Sequence, residues 1–437
     1  MKIYCLLLDA VPWGCGNPSD AGTGRGGGLA GIAQRGGLTG LTQITAGMFT
    51  TTTLLSMFSG RLPSDLVTGG VGYLSHAEDR YYEWMKDQKI NLIDLLKLAG
   101  FEVRLHHHLD FLLRMLLGFR GKDAVAEFEE RQAEGDLRYS HVTLSSWDPA
   151  GKKLDVFSDY SDREKCAEFY KKETAYIKAL QADKSPQNMF FLTQQQDWHD
   201  AWYTRDKRAL GSARARTEQW LDQWDFTEPD SVFWIFSDHG YQVGNDVTPK
   251  DALAWVLFRD NTCSPLRASR SIISSLDFYA TMLHKAGLAE YCKEARDSIA
   301  MHLPASPSRV YLGEDSRVKV NSIFFVTCFT GTNARILTQQ RNAWHPRVKA
   351  DARFACSSVV SCVSRWVTAE GEVSAASAVA AGAGGAASPA TLLMLVYHVQ
   401  QGNVRAYRYD FLHENPYAFD AVEVLSLLAL LLQKYKY

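Results

Sequence analysis

Long hydrophobic runs are missing from this chain. No stretch reaches the roughly 18 apolar residues of a membrane span, so no crossing of a bilayer is expected. A surplus of either charge is missing too. The 47 Lys and Arg stand against 49 Asp and Glu, a formal net charge of −2. That excludes a surface strongly attracting nucleic acid or anionic lipid. Cysteine is sparse: Cys5, Cys15, Cys166, Cys263, Cys292, Cys328, Cys356 and Cys362 are scattered, with no CxxC pair. Neither a zinc ribbon nor a dense disulfide framework fits that spacing, and reduced thiols in a cytoplasm are expected. The opening MKIYCLLLDA has one lysine and a short apolar run but no convincing cleavage site, and its aspartate fits a sheet better than a signal peptide. Segment 14–40 is rich in glycine, yet no GxGxxG follows a strand in the right register and no GxxxxGK[ST] occurs. A nucleotide loop is therefore rejected. No internal repeat is present.

What the chain does have is 437 residues, 46% hydrophobic and 22% charged, enough for one large or two moderate domains. The stretch that organises the rest is Val232–Gly240, VFWIFSDHG. Its first five residues are β-branched or aromatic, the composition of a strand covered on both faces. Asp238 and His239 follow, where open α/β sheets bind ligands, beyond the carboxyl ends of their strands. A carboxylate beside an imidazole there is a metal half-site; taken alone, Asp-His-Gly is equally a strand-to-turn punctuation. Ile3–Leu8 repeats the logic as a strand delivering Asp9, a residue that would also cap a turn.

The third landmark is the threonine cluster Thr50–Thr53, ahead of Leu54, Leu55, Met57 and Phe58 at helical spacing. Threonine favours helix starts, and Gly60 and Pro63 end the run. Hydroxyls thus gather at the positive end of a short helix, a place that binds anions. A threonine hydroxyl held there against a divalent cation could attack phosphorus or sulfur; a capping cluster without chemistry has the same appearance.

Around these landmarks, strands and helices alternate as in a doubly wound sheet to about residue 290. Leu29–Gly36 and Asn91–Ala99 read as helices, Phe101–Leu105 as a strand, residues 120–185 as a charged helical cap or insertion. Met189–Leu192 is a short strand leading into a polar loop, Thr193–Asp200, with His199 and two carboxylates. Ala209–Trp224 is a helix, Ala252–Phe258 a strand and Ser271–Leu283 a helix. The run His106-His107-His108 is read as a polar strand end, because consecutive strand residues face opposite ways. In the last third, Val318–Phe329, Phe354–Val367 and Leu392–Val399 suggest antiparallel strands, residues 373–390 a flexible Ala/Gly-rich insertion, and Val422–Leu432 a closing helix. The division expected is a catalytic domain over 1–300 and a smaller antiparallel subdomain over 301–437.

Four landmarks in this order resemble the sulfatase branch of the alkaline phosphatase superfamily. Phe58-Ser59-Gly60-Arg61-Leu62-Pro63 matches the end of that branch's nucleophile motif, and counting back ten residues from Gly60 gives Thr50. Ser237-Asp238-His239-Gly240 matches its S-D-H-G. Ile273–Leu283, Leu29–Gly36 and Tyr409–Pro416 resemble three further segments. The chain departs from the branch at Ala10, where a second aspartate is usual, at Leu54 in place of an arginine, and at Thr50 in place of a modifiable Cys or Ser. Those departures resemble the phosphoryl-transferring relatives more than the sulfatases.

The resemblance implies an α/β, alkaline phosphatase-like fold with a mostly parallel sheet between helices. It implies one divalent cation, manganese or zinc before calcium or magnesium, on Asp9, Thr50, Asp238 and His239. Thr50 would attack a small phosphate mono- or diester, with Thr51 as the fallback nucleophile. His199 would be general acid and substrate contact, and Lys250 a second anion contact unless it is a plain surface lysine. Asp197 is a candidate ligand for a second ion. Two other readings stand beside this one: a sulfate-ester hydrolase, and an inactive member acting as a binding or assembly subunit. Homo-oligomers are compatible with all three.

Overall fold

The computed structural model describes residues 1–11, 29–47, 50–62, 91–106, 116, 124–135, 142–144, 163–195, 197–203, 207–240, 252–269, 272–294, 298–304, 310–315, 322–329, 391–398, 403–410 and 413–419. In chain order the elements are β1 (Lys2–Leu8), α1 (Leu29–Gly36), β2 (Thr39–Ile44), α2 (Thr50–Ser59), α3 (Leu92–Leu98), β3 (Glu102–His106), α4 (Ala124–Ala133), β4 (Val142–Leu144), α5 (Arg163–Ala182), β5 (Met189–Gln195), α6 (Asp197–Tyr203), α7 (Lys207–Leu221), β6 (Ser231–Phe236), β7 (Leu253–Asp260), β8 (Ile272–Ser274) and α8 (Asp277–Lys285). Strands β9 (Val310–Asp315), β10 (Ser322–Phe329), β11 (Thr391–His398), β12 (Asn403–Asp410) and β13 (His413–Phe419) complete the list. No helix among the described residues is long and apolar enough to cross a membrane.

Eight strands form one sheet in the order β4-β3-β5-β1-β6-β7-β2-β8. All its pairings are parallel except those of β7 with β6 and with β2. The fold is α/β with a mostly parallel sheet. A second sheet, β13-β12-β11-β10-β9, is antiparallel throughout.

β1 is buried along its whole length, and its alternating residues enter two cores. Ile3, Cys5 and Leu7 pack with α2, α3 and α8. Tyr4, Leu6 and Leu8 pack with α1, α5, α6 and α7. Helices therefore cover both faces, which is why β1 and β6 read as continuous apolar runs rather than as alternating ones. Leu210, Trp220 and Leu221 of the predicted helix over 209–224 do reach the second core, and Ala213 is buried.

Several elements differ from expectation. β2 starts at the end of the glycine-rich segment 14–40 and runs into residues for which no element was expected; its polar residues Thr39, Thr42 and Gln43 hid it, although it is the strand next to β7. β4, inside the expected helical insertion, pairs with β3 at the sheet edge. The expected loop Thr193–Asp200 is strand to Gln195 and helix from Asp197. Within the expected helix Ser271–Leu283, Ile272–Ser274 is a strand, β8, and the helix begins only at Asp277. The Asp277 carboxylate accepts from the Ser274 N–H at 2.9 Å and breaks the helix there. His106 ends β3 buried, its ring stacked on Tyr176 at 4.4 Å. The readings at His107, His108, Lys250, Phe354–Val367, 373–390 and Val422–Leu432 lie outside the described residues.

Candidate functional site

Strand periodicity aims the central residues. Asp9 continues the Ile3, Cys5, Leu7 side of β1. Asp238 continues the Val232, Trp234, Phe236 side of β6, and both sides belong to one core. Leu7 pairs with Phe236 in parallel register, so each aspartate stands two residues beyond the same rung. The same rule puts Gln194, after Phe190 and Leu192, and Gln43, after Leu41, on this face. Two carboxylates and two amides thus converge at the carboxyl edge of four strands.

Helix α2 opens over that edge. Thr50 Oγ1 lies 3.4 Å from both carboxylate oxygens of Asp9. The loop before α2 is held close: Thr53 Oγ1 donates to Gly47 O at 2.8 Å. A Cβ on Gly47 would stand 2.8 Å from the backbone carbonyl carbon of Thr52. At the other end Gly60, at φ 68°, takes the left-handed conformation that closes the helix. The helix is thus fixed at both of its ends.

The centre itself is dry. Asp9 is 1% exposed, Asp238 0% and His239 5%. One ligand atom from each lies within 4.8 Å of the others. Asp238 Oδ1 accepts from the Ala10 N–H at 3.1 Å, a bond made possible by a left-handed Ala10 at φ 55°. Asp238 Oδ2 is buried and takes no hydrogen bond among the described residues. It faces His239 Nε2 at 3.4 Å, and Asp9 Oδ1 faces the same nitrogen at 3.8 Å. His239 Nδ1 contacts Gly240 O at 2.9 Å. A carbonyl can only accept, so Nδ1 carries the proton and Nε2 is the nitrogen offered to the carboxylates. Burial first, and then the Asp238 carboxylate, push the Asp9 carboxyl up to about 7, against the pull of His199, His239 and Gln194.

No family model matches this chain, and no curated protein does. Among solved structures, the alkaline phosphatase from the Antarctic bacterium TAB5 is similar, with 8% sequence identity and a TM-score of 0.39, covering 66% of this chain and 98% of that one. A likeness at that level leaves the strand order and the site's own geometry to speak for themselves.

That geometry suits a divalent cation. An orphaned buried carboxylate oxygen, a second carboxylate and an imidazole nitrogen face one another without water-exposed alternatives. Two oxygens and one nitrogen are a donor set for manganese or zinc. Of the residues read from the sequence, Asp9, Thr50, Asp238 and His239 come together. His199, on α6, is close enough for its charge to act on Asp9. Asp197 is not in the group of ligand atoms within 4.8 Å of one another; fully buried, its Oδ2 accepts from Arg216 Nε at 2.8 Å. Lys250 lies outside the described residues, as does the side chain of Thr51. Gln194, Gln43 and the backbone of Ala10 were missed. Gln43 Nε2 donates to Ser237 O at 2.9 Å and steadies the turn that carries Asp238. Period-two counting places both glutamines on this face only once the ends of β2 and β5 are known from the sheet.

Proposed function

We propose that this protein is a divalent-cation-dependent hydrolase of phosphate mono- or diesters with Thr50 as nucleophile. One observation carries the reading: a buried set of Asp9, Asp238 and His239 lies under the first residue of a ten-residue helix, whose hydroxyl is 3.4 Å from Asp9. Asp9, Asp238 and His239 would hold manganese or zinc, with the Thr50 oxygen beside them. When bound, the cation would lower the hydroxyl pKa and neutralise charge on the transferring group. Thr50 Oγ gives its proton to water and bonds to phosphorus as the ester P–O bond breaks. The departing alkoxide takes a proton from His199, and water then releases phosphate from the threonine. The positive, amino end of α2 opens at Thr50 and would support the equatorial phosphoryl oxygens. An alkaline phosphatase-like chemistry, acting on a small soluble ester, is the class this supports.

Aryl phosphate, bis-aryl phosphate and aryl sulfate, each assayed with and without added manganese or zinc, test it. Phosphate-ester cleavage that needs the cation and falls by several orders of magnitude in Thr50→Ala, with partial return in Thr50→Ser, supports the reading. A preference for the sulfate overturns it in favour of a sulfatase. Absence of both turnover and bound metal favours an inactive binding subunit.

A further inference from the structure

Each of the three groups at the centre has two atoms that could face a cation, and in each a hydrogen bond of 3.1 Å or shorter engages one of them; the 3.4 Å contacts of Thr50 Oγ1 reach both oxygens of Asp9 alike. Asp238 Oδ1 is taken by the Ala10 N–H at 3.1 Å, and His239 Nδ1 by Gly240 O at 2.9 Å. For Asp9 the partner is a side chain: Gln194 Nε2 donates to Oδ2 at 2.6 Å. Gln194 is 2% exposed and comes from β5, the strand next to β1, where it pairs with Leu7. Asp9 Oδ1 is then the oxygen that looks toward His239 Nε2.

We propose that Gln194 is a positioning residue that selects Oδ1 of Asp9 as the ligand and limits the centre to one divalent cation. The inference rests on the cation-binding reading above. A carboxylate that joins two cations about 3.5–4 Å apart gives one oxygen to each. Here the second oxygen meets an amide N–H. A cation arriving there would face the partial positive charge of the amide hydrogens and would have to break a buried hydrogen bond. Asp197 offers no relief: it is outside the group whose ligand atoms lie within 4.8 Å of one another, and its Oδ2 is held by Arg216. A glutamate at 194 would reverse the sign: beside Oδ2 would stand a second carboxylate in place of a donor, and the pair would form half of a new site. An apolar residue of similar length would release Oδ2 without supplying a ligand, so Asp9 would turn more freely and hold its cation less well.

Titration calorimetry and metal analysis with manganese or zinc alone, on the full chain and on Gln194→Met and Gln194→Glu, test this. Thermal melting confirms that each variant folds. The expected results are one ion on the unsubstituted chain, and one ion on Gln194→Met with affinity lower by about 10- to 100-fold. Two ions are expected on Gln194→Glu, with a spin-coupled manganese pair in its electron paramagnetic resonance spectrum, a signature that altered packing would not give. Two ions on the unsubstituted chain, unchanged affinity in Gln194→Met, or a folded Gln194→Glu that takes one ion would each overturn the inference while leaving the cation site standing. If Gln194→Glu does not fold, the stoichiometry of the unsubstituted chain and the affinity of Gln194→Met decide. No binding by the unsubstituted chain overturns the cation site itself, and this inference with it.

Discussion

Asp9 is where proton and cation compete. Its carboxyl is pushed from an ordinary value of about 4 up to about 7, by burial and then by the facing Asp238. The sign follows from linkage. Between those two values the folded chain holds a proton that the unfolded chain has lost. The cation-free protein therefore loses stability as pH rises across that window. A divalent cation needs the deprotonated carboxylate, so its affinity rises over the same range and levels off above about 7. Thermal melting from pH 5 to 8, with and without manganese, should show the gap between the two curves widening with pH. Asp9→Asn should flatten both the trend and the gap. Steric fit makes a second test at this scale. Gly47→Ala would place its Cβ 2.8 Å from the Thr52 carbonyl carbon, and the neighbour is helix backbone with no room to give. A stability loss of about 1–3 kcal/mol by urea unfolding is expected, together with loss of Thr50-dependent turnover. Asp9 and Asp238 were legible in the sequence because each follows an unbroken apolar run. Gln194 was not, since an amide at the end of Thr193-Gln194-Gln195 reads as loop until its neighbours on the sheet are known.

Elements were legible where one signal dominated. α3 has a full capping box: Asn91 Oδ1 accepts from the Asp94 N–H at 3.0 Å, and Asp94 accepts in return from the Asn91 N–H. The helix was expected over Asn91–Ala99 from its amphipathic spacing, and in the structure this box fixes its start. β2 and β4 carried no such mark. They are short, partly polar and placed by their partners, β7 and β3, so only tertiary pairing distinguishes them from loop. The β8–α8 boundary was misread because Ser271–Leu283 has helical apolar spacing throughout, while a single buried carboxylate ends the strand and begins the helix. Asp277 accepts from the Ser274 N–H and the Ile299 N–H, each at 2.9 Å. Replacing it with alanine leaves both donors without their acceptor, and the expected cost is about 2–5 kcal/mol. Asp277→Asn should recover only part of it, because the amide keeps one acceptor oxygen. Chemical unfolding of the two variants side by side checks the ranking.

At the scale of the whole molecule, the sheet is fastened at its two ends by different chemistry. The carboxyl edge holds the facing aspartates; the amino edge holds a satisfied buried ion pair. Lys2 Nζ donates to Glu228 Oε1 at 2.8 Å and to the carbonyls of Leu180 and Gln181. Glu228 Oε2 accepts from Tyr4 at 2.7 Å and from Gln181 at 3.2 Å. Burial, with the Glu228 carboxylate behind it, holds the Tyr4 phenol far above its usual range, so it remains a donor. This cluster joins β1, α5 and the approach to β6. A charged segment read as a helical cap or insertion is thereby tied into the main sheet at its end, Leu180 and Gln181, something no local pattern could disclose. Breaking a buried pair from one side strands the other charge, so Glu228→Gln and Lys2→Met should each cost about 3–5 kcal/mol. The double substitution should cost less than their sum. The seven residues of β1 separate Lys2 from the far edge by about 23 Å at the usual rise per residue, so manganese affinity should be the same in all three variants at temperatures where they are folded. A shift in that affinity would mean that the two ends of the sheet are coupled, and that the site is not held by its own loops and strand ends alone.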